Sequence, residues 1–408
     1  MNSRYLFEMA LNLQKPWIIE DIKFEEKSTG QELHISIDYD KSSQFPDKEK
    51  VMSKVHDRKK RTWQHLNFFE HKCFLHCRVP RIKNSSGSIT MVELPWSRSG
   101  SGFTLLFEAF VMKLIESEMP INKISKLMRV HANSVWVIFN YWLKKAYAAN
   151  VVSNVTQLGI DETSSKKSHK YVTVGVDLQT RRVIHVTPGK DSQTIEKIKD
   201  YLITKEVEPS QIKHASIDLS PSFISGLKKN FPKAEIYFDR FHVKKLLNEA
   251  MDNVRKIERK EHAELKGHKY TFLKNKNNLS LSKKEDLNKL STLFPTLGKA
   301  YRLKELFDDV WDMDTPKEAS AFIDQWIEEV KESKIPAFVK FSRTVGKHKD
   351  GIINFVTTRI NNGILEGINS KIQLAKKRAR GYRNTDNFIN MIYFLCGKLN
   401  FKFPHDYA

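Results

Sequence analysis

The pattern of apolar and polar positions changes at residue 155, where short apolar runs begin to alternate with amphipathic stretches. Five apolar runs predict strands, at residues 155–160, 171–177, 182–187, 212–218 and 234–239. Two stretches with apolar positions at helical spacing predict helices, at residues 192–203 and 222–230, and Ser192 is the expected N-cap of the first. The order β-β-β-α-β-α-β predicts three antiparallel strands followed by parallel ones.

The segment that follows these strands is charge-rich and helical. Its helical patterns lie at residues 243–265, 282–293, 300–311 and 317–333. We interpret residues 244–352 as an all-α insertion between the two parts of a sheet domain, residues 151–243 and 353–408. The strand order is that of an RNase H-like sheet, so we expect an α/β fold with an RNase H-like core interrupted by an all-α insertion.

The N-terminal part of the chain divides into two predicted modules. Residues 1–98 contain a strand-like alternation at residues 32–38 and a turn signal at residues 85–87, which indicate a small β-rich module. Residues 99–150 contain helical patterns at 105–118, 121–128 and 132–145. The last two patterns, separated by a short turn, predict a helix-turn-helix.

The second helix of this pair carries an apolar stripe formed by Val135, Ile138, Phe139 and Trp142. Its opposite face offers polar residues that are suited to contacts with DNA, namely Asn133, Ser134, Asn140 and Lys144. An ordinary helical hairpin has the same spacing, and the basic character of the chain favours DNA binding.

The chain is strongly basic. Its 69 Lys and Arg residues against 48 Asp and Glu residues give a formal net charge of +21. Such an excess fits binding to nucleic acid or to an anionic membrane surface, whereas the simpler interpretation is a basic protein that is merely soluble. Six cations cluster after Glu366, and this clustering favours contacts with phosphates: Lys371, Lys376, Lys377, Arg378, Arg380 and Arg383.

Several classes of protein are not expected. No apolar run approaches the roughly 18 residues of a membrane-spanning segment. The first residues lack the pattern of a secretory signal. The three cysteines, Cys73, Cys77 and Cys396, are too few for a disulfide framework and indicate a reducing compartment. We therefore expect a cytoplasmic protein that has no membrane partner.

Three acidic residues, far apart in sequence, suggest a metal site. Asp161 and Asp218 each follow an apolar run on strands predicted to be adjacent and central, and Glu366 lies in a helical stretch. Mg²⁺ prefers oxygen ligands, and two such ions roughly 4 Å apart hold the attacking and leaving oxygens of a displacement at phosphorus. Each aspartate alone is more simply a turn or cap residue, but the three together in a basic chain favour the metal site.

Four further residues are candidates for support of this site. Asp239 and His242 lie close together after the last predicted strand, where they support the metal site or a DNA strand, or form a satisfied pair in the core. Asn362 and Asn369 fall on the same helical face as Glu366.

A second, smaller group of residues invites a zinc interpretation. His71, Cys73, His76 and Cys77 lie within seven residues of one another. Their spacing is cramped in comparison with the paired cysteines of structural zinc sites, and no second cysteine pair follows. Two buried thiols without a metal are the favoured interpretation.

Several motifs jointly resemble those of DDE transposases of bacterial insertion sequences, in particular the insertion-sequence L-three family. They are Gly159-Ile-Asp161-Glu-Thr-Ser164, Ile217-Asp218-Leu-Ser220, Tyr237-Phe-Asp239-Arg-Phe-His242-Val243, Asn361-Asn-Gly363 with Glu366 and Asn369, and Lys377-Arg-Ala-Arg-Gly-Tyr-Arg-Asn384. The resemblance covers nearly the whole chain. It implies an RNase H-like core split by a helical insertion, two Mg²⁺ or Mn²⁺ ions, and the triad Asp161, Asp218 and Glu366.

The resemblance also implies an activity and its partners. The expected reaction is cleavage of double-stranded DNA at the terminal inverted repeats of an element, followed by attack of a 3′ hydroxyl on target DNA. A homodimer or higher oligomer on DNA, associated with the bacterial nucleoid, is expected. Members of the family carry a zinc ribbon with cysteine pairs near positions 45–50 and 84–87, but these places lack cysteine here. Zinc binding is therefore not expected.

Two other functions are compatible with the same residues. One is a structure-selective DNA nuclease with an RNase H-like fold, and the other is a DNA-binding repressor that uses only the N-terminal half. The three acids argue against the repressor. The helix-turn-helix and the long helical segment argue against a small nuclease.

Overall fold

The computed structural model describes residues 3–28, 30–166, 170–358 and 363–402. Asn362, one of the predicted supporting residues, and its neighbour Asn361 lie outside them. The chain forms two compact units, Met1–Ala148 with Asn400–Ala408, and Ala149–Leu399. Within the described part of the chain, no helix combines the length and the apolar character needed to span a membrane.

The first unit begins with helix α1 (Ser3–Ala10) and a five-stranded sheet. The strands are β1 (Trp17–Lys27), β2 (Gly30–Tyr39), β5 (Val55–Phe68), β6 (His71–Lys83) and β7 (Ile89–Met91), and a separate pair is formed by β3 (Phe45–Pro46) and β4 (Met52–Ser53). The order is β1-β2-β6-β5, with β7 paired to β6. β2 and β6 are parallel, and the other pairs are antiparallel.

The alternation at residues 32–38 lies in β2 and gives this sheet one buried face. Leu33, Ile35 and Ile37 are buried together with alternate residues of β6, including Leu75. Successive side chains of a strand point to opposite faces, so this period-two pattern is what a sheet with one covered face requires. The predicted β-rich character of this region is confirmed.

Three helices follow the sheet in the first unit. They are α2 (Leu105–Glu116), α3 (Ile121–Leu127) and α4 (Ala132–Ala148). Thr104 caps α2 by accepting from the amide of Phe107, and α3 starts after Pro120. The predicted apolar stripe of α4 is buried, including Val135 and Trp142. The helix-turn-helix is therefore present.

A buried carboxylate joins these helices. Glu108 of α2 is fully buried and accepts hydrogen bonds from Arg98 Nε at 2.9 Å, Ser101 Oγ at 2.6 Å and Trp142 Nε1 at 2.8 Å. The guanidinium of Arg98 also lies 3.8 Å from the ring centroid of Tyr141. Glu108 thus connects the segment before α2 to the second helix of the helix-turn-helix.

The second unit is built on another five-stranded sheet. Its elements are β8 (Gln157–Lys166), β9 (Lys170–Asp177), β10 (Arg182–Pro188), α5 (Ser192–Thr204), β11 (His214–Ile217), α6 (Pro221–Asn230) and β12 (Glu235–Phe238). The sheet order is β10-β9-β8-β11-β12, antiparallel from β10 to β8 and parallel from β8 to β12. The element order agrees with the sequence prediction.

The N-cap of α5 is Asp191, whose side chain accepts a hydrogen bond from the amide of Thr194, so the prediction of Ser192 was wrong by one residue.

Every described element between β12 and residue 359 is helical. The α-helices are α7 (Arg240–Glu261), α8 (Lys269–Leu273), α9 (Leu281–Leu293), α10 (Pro295–Phe307), α11 (Pro316–Ser333), α12 (Pro336–Lys347) and α13 (Lys349–Thr358). The last two helices are α14 (Gly363–Arg378) and α15 (Thr385–Cys396). α8, α12 and α13 are not predicted by the sequence pattern. α10 begins five residues before its prediction, because Pro295 is suited to the first helical turn.

The helical segment packs against the edge strand β12 through α13. A Cβ atom on Gly351 would lie 2.3 Å from Phe238 Cε2, so only glycine allows this approach. Asn354 Nδ2 also donates to the backbone oxygen of Ile236 at 3.1 Å. The edge of the sheet is thereby covered.

Glu108→Ala is expected to lower the free energy of unfolding by about 3–5 kcal/mol, because Arg98 and Trp142 lose their buried partner. Urea denaturation followed by tryptophan fluorescence measures the change. Glu116→Ala, an exposed acid on the same helix, is the control and should leave stability nearly unchanged. Equal effects of the two substitutions would contradict a structural role for the buried carboxylate.

Gly351→Ala is expected to lower the free energy of unfolding by about 1–3 kcal/mol, because Phe238 must shift to admit the methyl group. Gly346→Ala is a matched control on the preceding helix. Its Cβ atom would meet Ile327 Cδ1 at an ordinary 3.6 Å, so alanine should raise stability by up to about 1 kcal/mol. Thermal unfolding should show opposite signs for the two variants; the same sign would refute the close approach of α13.

Candidate functional site

The candidate site is centred on Asp161, in the middle strand of the second sheet. β8 lies between β9 and β11, and Asp161 pairs with Val174 of β9. The backbone amide of Glu162 donates to Asp161 Oδ1 at 2.7 Å, and Asn369 Nδ2 donates to Asp161 Oδ2 at 2.5 Å. Each carboxylate oxygen of Asp161 therefore accepts a hydrogen bond, and the two bonds fix the orientation of the carboxylate.

Three aspartates lie at the same level of three neighbouring strands. Gly159 of β8 pairs with Ser216 of β11, which pairs with Tyr237 of β12. The residues two positions further along the chain are Asp161, Asp218 and Asp239. Because these strands are parallel, the three acids meet at the end of the sheet toward which the strands run. We call the position of Asp161, Asp218 and Asp239 the acidic edge.

The aspartates act on one another electrostatically. Burial raises the pKa of Asp161 to about 6, and the charges of Asp218 and Asp239 act in the same direction. The amide of Glu162 and the imidazole of His242 lower this pKa in part. Negative charge is therefore costly at this point of the molecule, and a cation would relieve that cost.

Asp239 and His242 form the start of α7 beside this edge. Asp239 is buried and caps the helix by accepting from the amide of Phe241 at 2.8 Å. His242 Nδ1 lies 3.9 Å from Asp239 Oδ2 and has no hydrogen-bond partner among the residues that the structure describes. The structure thus places this predicted supporting pair next to Asp161.

Helix α14 runs along β8 and contacts it with one polar face. One turn after Asn369, Gln373 Nε2 donates to Thr163 Oγ1 at 2.7 Å. Lys376 Nζ donates to the backbone oxygen of Ser164 at 2.6 Å. These contacts fix the register between the helix and the strand.

Glu366 lies one turn before Asn369 on α14 and is exposed. No hydrogen bond or ion pair joins its carboxylate to the aspartates among the described residues. Within the same residues, no group of three His, Cys, Asp or Glu side chains is placed to hold a metal ion. The structure brings together Asp161, Asp218 and Asp239 and leaves Glu366 at the exposed start of the helix.

The contacts of Gln373 and Lys376 are not predicted from the sequence, nor is the position of Asp239 at the level of the other two aspartates. One signal was available for Asp239. β11 and β12 each end with an apolar residue, Ile217 and Phe238, that is followed directly by aspartate, and Ile160 within β8 is likewise followed by Asp161. No comparable local signal exists for Gln373 or Lys376, because their partners are more than 200 residues away in sequence.

The predicted phosphate-binding cations divide into two groups. Five of them are exposed on or just after α14, namely Lys371, Lys377, Arg378, Arg380 and Arg383. Lys376 is half-buried, and its ammonium group is bonded to the backbone of β8. Lys376 therefore fixes the position of α14, whereas the other five face solvent.

The predicted DNA-binding face of the helix-turn-helix lies on α4. Asn133 and Lys144 are exposed, and Ser134 and Asn140 are half-buried. These residues lie on the outer side of a helix whose inner stripe packs in the core of the first unit.

Cys73 and Cys77 do not fit a shared zinc ion. They lie four residues apart on β6, which separates them by about 13 Å along the strand, whereas zinc ligands lie within a few ångströms of each other. Burial raises the pKa of each thiol to about 12. His76 lies on the opposite face of β6, where its Nε2 contacts His34 Nδ1 at 2.8 Å.

The segments near residues 45–50 and 84–87, where members of the resembling family carry cysteine pairs, contact each other through other side chains. Ser85 Oγ donates to Glu49 Oε2 at 2.6 Å, and the amide of Ser85 donates to Asp47 Oδ2 at 3.3 Å. Asp47 also accepts from the amide of Val51 at 2.9 Å, and this amide holds the pKa of Asp47 below its usual range. Hydrogen bonds therefore join the two turns.

Asp161→Asn is expected to raise the free energy of unfolding of the metal-free protein by roughly 1–3 kcal/mol at about pH 8. The raised pKa means that the folded state retains a proton which the unfolded chain releases between about pH 4 and pH 6. Stability contributed by this group therefore falls as pH rises through that window. Urea unfolding in EDTA should show the gain at about pH 8 and its loss at about pH 4. Asp200→Asn, at an exposed position, is the control; an equal gain at both pH values would rule out this cause.

Comparison with known families matches three parts of the chain. A family model described as a transposase matches residues 158–392, which is more than half of the 408 residues. A model for the helix-turn-helix domain of transposase family ISL3 matches residues 92–143, in agreement with α2 to α4. A model for the zinc-finger of the transposases IS204, IS1001, IS1096 and IS1165 matches residues 48–83, which contain the β5–β6 hairpin.

Two known proteins are similar over most of their length. The transposase for insertion sequence element IS1557 of Mycobacterium tuberculosis is 27% identical, over 95% of this chain and 94% of its own. The transposase for insertion sequence element IS1001 of Bordetella parapertussis is 26% identical, over 82% of this chain and 84% of its own. The chain belongs to the ISL3 family of insertion-sequence transposases.

Proposed function

We propose that this protein is a DNA transposase that cleaves the ends of its element at terminal inverted repeats and joins the 3′ hydroxyl ends to target DNA. The observation that carries the proposal is the common level of Asp161, Asp218 and Asp239 on three parallel strands. Family membership supports the same activity. Because the substrates are chromosomal DNA, the proposed place of action is the bacterial cytoplasm, at the nucleoid.

The second unit is proposed to be an RNase H-like core that an all-α insertion interrupts. Three antiparallel strands followed by two parallel ones support the core. The seven helices from α7 to α13, which stand between β12 and α14, support the insertion. α14 then belongs to the core, since it contacts β8 directly.

The residues of the site fit Mg²⁺ or Mn²⁺ in their chemistry. Carboxylate and amide oxygens are the ligands that these ions prefer. The pKa of Asp161 is raised by burial and, to a smaller extent, by the charges of Asp218 and Asp239. We propose that Asp161, Asp218 and Glu366 hold two ions. When bound, such ions stabilise the charge that develops on the oxygens around a phosphorus atom.

The protein's own groups prepare this site. Asn369 and the amide of Glu162 fix the two oxygens of Asp161, so that its carboxylate needs no reorientation. His242 lies close to Asp239 and offsets part of the negative charge on the sheet edge. Glu366 lies in the first turn of α14, whose other charged side chains are basic, and its carboxylate is proposed to turn toward the aspartates when the ions bind.

DNA is proposed to contact two surfaces. The outer face of α4, with Asn133, Ser134 and Lys144, is suited to the terminal repeat. The exposed cations at the end of α14 are suited to phosphates near the acids. Since two element ends must be joined to one target, a homodimer or higher oligomer on DNA is proposed.

A strand-joining assay with labelled terminal-repeat DNA, a plasmid target and Mg²⁺ tests the function. The wild-type protein should join the labelled ends to the target. Asp161→Ala and Glu366→Gln should reduce joining by roughly 100-fold or more and leave DNA binding nearly unchanged, because each removes a group that acts on the reacting phosphate.

Glu332→Gln, at an exposed helical position, is the control for Glu366→Gln and should join normally. Cleavage without joining would indicate a structure-selective nuclease instead. Binding without any Mg²⁺-dependent product would indicate a repressor. Equal loss of binding and joining in Glu366→Gln would assign Glu366 a structural role.

A further inference from the structure

Helix α7 carries a groove that begins beside the acidic edge. Phe241, Lys245 and Asn248 follow one another at helical spacing on the same side of α7, and α8 contributes Lys269 to the facing wall. The groove encloses about 610 Å³. Asp239, one of the three aspartates at the sheet edge, caps the N-terminus of the same helix.

An exposed aromatic ring stands at the start of this groove. The side chain of Phe241 is 55% exposed, although Asp239, two residues earlier, is buried. Its ring centroid lies 5.7 Å from that of His242. A flat apolar ring that faces solvent close to the three aspartates is suited to stacking on a nucleobase.

Several polar groups of the groove have no hydrogen-bond or ion-pair partner among the described residues, although Lys269 Nζ lies 5.7 Å from the ring centroid of Tyr270. Asn248 Oδ1 is buried and has no hydrogen-bond partner within the described ranges. Lys245 and Lys269 are exposed, and no carboxylate forms an ion pair with either of them among these residues. A buried oxygen of this kind is costly unless a donor reaches it.

Three other charged groups of the groove, Lys244, Asp252 and Lys256, are already paired. Lys256 Nζ lies 3.0 Å from Asp252 Oδ2, and Lys244 Nζ lies 3.0 Å from Asp308 Oδ2. Asp252 is further bound by Arg255. The groups left to bind a ligand are therefore the ring of Phe241, two ammonium groups and the amides of Asn248 and Asn253. Glu249 also lines the groove and has no ion pair among the described residues.

We infer that this groove binds single-stranded DNA, namely the unpaired nucleotides that adjoin the phosphate at the acidic site. A base stacks on Phe241, Lys245 and Lys269 contact phosphates, and the amide of Asn248 accepts a hydrogen bond from an exocyclic amino group. A cavity of this volume has the size of a small-ligand site and does not admit a duplex. The inference rests on the proposed function, and it adds that the DNA beside the acidic site is single-stranded.

Fluorescence anisotropy with the full-length protein in EDTA tests the inference without cleavage. The probes are a blunt duplex and the same duplex with a single-stranded tail. Phe241→Ala should weaken binding of the tailed duplex by roughly 5- to 100-fold and leave the blunt duplex unaffected. Phe241→Trp should retain the preference for the tail, which shows that the loss does not come from misfolding.

The charge of the groove is tested separately. Lys245→Glu combined with Lys269→Glu should also remove the preference for the tail. Ile257→Ala, an exposed apolar residue of α7 outside the groove, and Lys289→Glu, an exposed lysine of α9, are the controls and should keep it. Equal binding of both probes by the wild-type protein, or an unchanged preference in Phe241→Ala, would overturn the inference.

Failure of the inference and failure of the proposed function give different results. If the groove does not bind single strands, the wild-type protein still joins ends in the strand-joining assay. If the protein is no transposase but the groove is correct, the preference for the tailed probe persists while no joined product forms.

Discussion

The parallel pairing of β11 with both β8 and β12 is the interaction on which the candidate site depends. It sets the register that brings Asp161, Asp218 and Asp239 to one level of the sheet. A shift of one residue would turn a carboxylate to the opposite face, because side chains alternate along a strand. Burial raises the pKa of Asp161, and the hydrogen bond from the amide of Glu162 lowers it only in part. Negative charge is thus unfavourable at this site.

The helical segment contributes to this arrangement through its packing on the edge strand β12. More than one hundred residues separate β12 from α14, and the chain must return to β8 after them. The packing of α13 on β12 at Gly351, and the bond from Asn354 to Ile236, restrict where the segment ends. If the segment were a long flexible loop, the chain would lose conformational entropy when α14 packs on β8. The contacts of α13 with β12 reduce this loss.

The N-terminal module is held together by hydrogen bonds between its turns and by an apolar core. Asp47, Glu49 and Ser85 join the two turns where cysteines were expected. The sheet below them has its own apolar core, in which Trp17 and Trp96 stack edge to face with centroids 4.9 Å apart. A core of this size supplies stability that small metal-bound modules lack.

The sequence alone determined the kinds and the order of the elements in the second sheet and in the helix-turn-helix, because hydrophobic periodicity is a local property. The five strands of the second unit, the helix-turn-helix stripe around Val135, and the positions of Asp161 and Asp218 after apolar runs are all of this kind. Only the tertiary structure forms the hydrogen bond from Asn369 to Asp161, the hydrogen bond from Lys376 to β8, and the groove beside Phe241. Each depends on the register between segments that are distant in sequence, and register is fixed by packing and hydrogen bonds that form only when the whole sheet assembles.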